Sequence, residues 1–141
     1  MKKFSFSFNL QILLLNLLFH SFLLQDTQVS IKYVYFNETN FEQNVNSYDN
    51  VLIYFTANWS TDSQSKKQNF LNIKDGLLDI KKSLENRDRF IVVGEVNSKS
   101  YKICHDLNIK KYPSIVLISG KTHFLYKGEI EPEHILNWLR K

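Results

Sequence analysis

Residues 51–63 read Val-Leu-Ile-Tyr-Phe-Thr-Ala-Asn-Trp-Ser-Thr-Asp-Ser. Val51 to Ala57 is almost continuously apolar and β-prone, the pattern of a central strand covered on both faces. After Trp59 the pattern changes. Ser60, Thr61 and Asp62 are strong N-cap types, and Phe70, Ile73, Leu77, Leu78, Ile80 and Leu84 follow mostly at three- and four-residue spacing. The segment therefore predicts a buried strand leading into a long helix from Ser60 to about Asn86, with Gly76 as the place for a kink or break.

Working outward, Val29 to Phe36 alternates well enough for a first strand, and Asn37 to Asn50 reads as a short helix capped by Thr39 or Asn40. Arg89 to Val96 is a further strand of buried character, and Lys99 to Leu107 a short helix presenting Ile103, Cys104 and Leu107 inward. Ile115–Ser119 and Thr122–Tyr126 flank Gly120-Lys121 as a hairpin. Glu131-Pro132-Glu133 opens a last helix, with proline early and acids at the positive end of the dipole. The order βαβαβαββα is an α/β arrangement.

The chain has 141 residues, a formal charge of +4 and one cysteine, Cys104. Met1-Lys2-Lys3 and the apolar run from Leu10 to Leu24 have the form of a secretory signal peptide, here assigned to residues 1–25. Asn9, Gln11, Asn16 and His20 interrupt that run, which makes a poor membrane span; an uncleaved signal anchor is the alternative. Residues 26–141 suffice for one domain with its own core. A single cysteine excludes an internal disulfide, so stability rests on apolar burial, to which an aromatic content of 14% contributes. The lysine pairs at 66–67, 81–82 and 110–111 are scattered, as on solvated faces, so no nucleic-acid groove is expected. Asn37-Glu38-Thr39 and Asn58-Trp59-Ser60 match the N-glycosylation pattern.

These residues resemble a known family. Val51 to Trp59 is similar to the strand and loop that precede the active site of thioredoxin and protein disulfide isomerase domains. Asn40-Phe41, the strand end at Val96, Ile109 to Ser114 around Pro113, and Tyr126-Lys127-Gly128 agree with the same pattern. The resemblance implies a thioredoxin fold, a central mixed β-sheet flanked by helices, over residues 26–141. It also implies a cis bond at Pro113 and a peptide groove beside it. The departures fall together: Ser60 and Ser63 stand where the family has two cysteines, Asn58 where proline is common, and Tyr54 where a carboxylate is usually buried for proton transfer. Serine cannot form a disulfide, and its hydroxyl stays protonated near neutral pH, so dithiol chemistry at this loop is excluded.

The degenerate loop, Trp59, Ser60, Thr61, Asp62 and Ser63, has two readings: a capped helix start, or a retained anion or peptide contact. The resemblance makes Trp59, Tyr112, Pro113 and Ser114 the candidate peptide-binding residues. Trp59 could equally be a lid on the core, and Pro113 could serve only the turn. Cys104 reads as a buried structural thiol. His123 and His134 have no metal-ligand spacing, so neither metal nor cofactor is expected.

The expected function is a redox-inactive, polypeptide-binding or chaperone-like module in the endoplasmic reticulum lumen or secreted, with a polypeptide client or protein partner. Membrane contact would come only from an uncleaved leader. Two alternatives stand beside it: a thiol-disulfide oxidoreductase acting through Cys104 or a partner's cysteine, and a structural subunit using a surface away from the groove. Leu136 to Lys141 carries no retrieval tetrapeptide, so retention would need a partner or the leader.

Overall fold

The computed structural model describes residues 2–23, 31–82 and 91–141. Its elements are α1 (Lys2–Leu23), β1 (Tyr33–Phe36), α2 (Phe41–Ser47), β2 (Asn50–Thr56), α3 (Thr61–Leu71), α4 (Lys74–Lys82), β3 (Ile91–Asn97), α5 (Tyr101–Asp106), β4 (Ser114–Ser119), β5 (Thr122–Leu125) and α6 (Pro132–Leu139). Five strands form one sheet in the order β1-β3-β2-β4-β5. β3 runs parallel to both β1 and β2, whereas β4 is antiparallel to β2 and β5 to β4. This is the thioredoxin fold.

β2 lies at the centre because both of its faces are apolar. Leu52 and Tyr54 face Phe70, Ile73, Leu77, Ile135 and Leu136 of α3, α4, α6 and the turn between the first two. Val51, Ile53 and Phe55 face Ile103 and Cys104 of α5, with Phe41 and Val45 of α2 packed alongside. Period-2 alternation along one strand thus feeds two separate cores. Val29 and Ser30, Arg89 and Phe90, and the helical reading of Ser83 to Asn86 lie outside the described residues.

The long helix expected after Ser60 is divided at Asn72 and Ile73. Asn72 closes α3 by donating its N–H to the carbonyls of Gln68 and Phe70. Gly76, the expected break, sits inside α4 instead, where a Cβ would meet the Leu136 side chain of α6. Its bareness serves helix packing rather than a kink. Helix α1 exposes Leu13, Leu15, Leu18 and Phe19, and among the described residues no helix is long and apolar enough to cross a membrane.

Two glycines are required by geometry. Gly120 adopts φ 62 in the β4–β5 turn, a conformation costly for residues with a Cβ. At Gly94 a Cβ would come within 2.5 Å of the Val34 carbonyl oxygen and would overlap the Phe36 ring. Gly94→Ala is therefore expected to force β1 away from β3 and to cost about 1–3 kcal/mol of stability. A urea unfolding midpoint equal to the parent's would show that β1 can shift without loss.

Candidate functional site

The turn between β2 and α3 is held by the hydroxyls of two serines. Ser60 is the N-cap of α3: its Oγ accepts from the Ser63 N–H at 3.2 Å. The same hydroxyl donates to the Tyr112 carbonyl at 3.2 Å, tying the loop to the segment that precedes β4. Ser63 is fully buried, and its Oγ accepts from the Ala57 N–H at 3.3 Å. Beneath it, the Tyr54 hydroxyl donates to the Ser63 carbonyl at 2.8 Å. Both serine side chains are thus engaged in closing the loop. Thr61 and Asp62 occupy the first turn of α3, the acid lying at the favourable end of the helix dipole.

Trp59 projects from this turn with 74% of its surface exposed. Its ring meets Tyr112 edge-on, with centroids 5.7 Å apart and planes at 85°. The Tyr112–Pro113 peptide bond is cis. Ser114 is buried and donates its hydroxyl to the Lys111 carbonyl at 2.7 Å, so that side chain braces the turn. Trp59, Ser60, Tyr112 and Pro113 come together here; Asn37 does not. Its Oδ1 instead accepts from the N–H groups of Thr39 and Asn40 at the start of α2. Asn58 stands beside Trp59 and accepts from the Asn97 amide at 3.0 Å.

A cavity of about 530 Å³ opens next to Trp59 and Tyr112, reaching Tyr101, Cys104 and Ile109. The Cys104 thiol is 6% exposed and points its proton at the Asn97 carbonyl, 3.9 Å away. Burial pushes its pKa up, which keeps the thiol protonated and a poor nucleophile. The Tyr112 hydroxyl is pushed up to about 12, first by burial and then by its hydrogen bond with Cys104.

Sequence reasoning missed one charged group under the loop. Glu95, opposite Tyr54 in the β2–β3 register, accepts from the Tyr33 hydroxyl at 2.8 Å and pairs with Lys67 of α3 at 2.7 Å. Lys67 therefore does not simply face solvent. The only signal was a lone acid in the apolar run Ile-Val-Val-Gly-Glu-Val. Its carboxylate is already committed to two partners. Burial, reinforced by nearby Glu95, raises the Tyr54 phenol pKa, so it too offers no base at neutral pH. Among the described residues the loop thus presents an exposed aromatic surface, and the thiol beside it is held protonated by burial.

Comparisons with known proteins agree with this geometry. The thioredoxin family model matches residues 32–141. The first thioredoxin domain of mouse protein disulfide-isomerase A4 superimposes with a TM-score of 0.63 at 20% identity, covering 82% of this chain and 81% of that one. The zinc-bound form of human ERp44 gives 0.64 at 20% identity, covering 77% of this chain and 30% of its own. The first two thioredoxin domains of Naumovozyma dairenensis Eps1p give 0.63 at 16%, covering 77% and 40%. No curated protein sequence matches the chain. With its sheet order, its cis Tyr112–Pro113 turn and the family match over residues 32–141, the chain belongs to the thioredoxin family.

Proposed function

We propose that this domain is a redox-inactive polypeptide-binding module. The observation that carries the reading is Trp59: a large aromatic, 74% exposed, held edge-on against Tyr112 at the mouth of a cavity. Exposed aromatics beside a concavity are the usual anchors of protein recognition. The serines support the loss of thiol chemistry, because both hydroxyls serve the loop itself. Cys104 adds no alternative nucleophile while burial keeps it protonated. The charged start and apolar run of residues 1–25 support entry into the secretory route, hence a luminal or secreted module.

Titration calorimetry with a reduced, alkylated and unfolded polypeptide tests the reading. Trp59→Ala and Tyr112→Ala are each expected to weaken binding about 10- to 30-fold, the scale of a recognition hot spot. Equal affinity in folded variants would move the contact surface away from this groove.

A further inference from the structure

Two cavities flank the Lys111–Ser114 turn. The first, described above, lies on the Trp59 side. The second, about 390 Å³, lies on the other side, between Pro113 and Ile115 and the Leu125–Ile130 return. Its floor is apolar. Its charged lining consists of Lys111 and Lys127, both exposed, and the first cavity adds Lys99. Among the described residues no aspartate or glutamate lines either cavity. Among the described residues no carboxylate pairs with Lys99, Lys111 or Lys127. The neighbouring acids pair with other groups: Asp106 with Lys102 at 2.8 Å and 3.6 Å from His105 of the first cavity, and Glu129 4.0 Å from His134. Asp62 lies in the first turn of α3, outside both linings.

We infer that the client of this groove is an extended peptide carrying an apolar side chain flanked by carboxylates. The inference rests on the peptide-binding reading and adds its charge class. In an extended chain alternate side chains face the same way, about 6.5–7 Å apart. An apolar residue can therefore enter the second cavity while acidic neighbours reach the lysines at its rim. Cations left unpaired around an apolar floor favour such a sequence and reject its basic counterpart by like-charge repulsion. Because the lysines are exposed, the selection acts through the field at the rim and weakens with salt.

Three labelled short peptides test this by fluorescence anisotropy, sharing one central leucine flanked by aspartates, serines or lysines. The aspartate peptide is expected to bind the full chain at least about tenfold more tightly than the lysine peptide at low ionic strength, a preference that shrinks with added salt. In the Lys111→Glu/Lys127→Glu variant the order should reverse; both positions are exposed, and a thermal melt confirms folding. Binding of all three with equal affinity, still sensitive to Trp59→Ala, would overturn the charge selection and leave the groove standing. No binding of any peptide would overturn both. A single-stranded oligonucleotide competing as strongly as the aspartate peptide would also overturn the inference, because charge alone would then suffice.

Discussion

Phe70→Ala is expected to lower the unfolding free energy by about 3–5 kcal/mol, a large share of what a domain of this size possesses. The Phe70 ring has no exposed surface and stacks on Tyr54, with centroids 4.9 Å apart. It sits where α3 meets the central strand, in the cluster that also holds Leu52, Ile73, Leu77 and Ile135. Alanine leaves a cavity that the flanking sheet and helices cannot close, so lost transfer energy and lost dispersion contacts add. The effect should extend to the loop, because Tyr54 carries the hydroxyl that tethers the Ser63 carbonyl. Urea unfolding of the full chain, followed by far-ultraviolet circular dichroism, reads the change. A loss below about 1 kcal/mol would mean that α3 is not seated on β2 as described.

The second large change is chemical. Ser60→Cys combined with Ser63→Cys should convert a loop without thiols into one that oxidises to a disulfide. The accessible thiol count of the unfolded chain should then fall to that of Cys104 alone. The two side chains lie three residues apart, at the N-cap and in the first turn of α3, as the bond between Ser60 Oγ and the Ser63 N–H shows. A thiol at the N-cap of a helix ionises more readily than a free one, which makes position 60 the attacking group. Insulin reduction by the double variant should exceed that of the parent chain, at a measurable but slow rate. The reason for slowness lies beneath the loop, where Tyr54 donates rather than accepts and Glu95 is held by Tyr33 and Lys67. Among the described residues no free carboxylate is placed there to take the proton of the second thiol. A folded double variant that keeps both new thiols under oxidant would show that these positions do not face each other closely enough to bridge.

Much of this molecule was legible in the chain because its signals are local. The uniform run at 51–57 placed β2 in the middle, the Gly120 turn paired β4 with β5, and Glu131-Pro132-Glu133 started α6 within a residue. The division of the long helix was not legible. Asn72 and Ile73 have no strong breaking tendency, whereas Gly76 does, and packing against Leu136 turns that glycine into a helix–helix contact. Nor was the Glu95 cluster. A single acid in an apolar strand says that a partner exists; Tyr33, 62 residues away, and Lys67 become its partners only through the β1-β3-β2 order and the seating of α3.

The same division runs through the function. The amino-acid sequence alone determined what the loop cannot do, because a serine oxygen at 60 and 63 forbids disulfide exchange in any conformation. Tertiary structure decided what those oxygens do instead: Ser60 reaches the Tyr112 carbonyl, 52 residues on, and Ser63 holds the Ala57 N–H. It also decided that Trp59 stands exposed against Tyr112, and that lysines distant in sequence line cavities with no acid among their described lining residues. Element type follows from side-chain period and capping over a few residues. Which surfaces meet depends on strand pairing between distant segments, and that pairing is settled only when the whole sheet closes over its two cores.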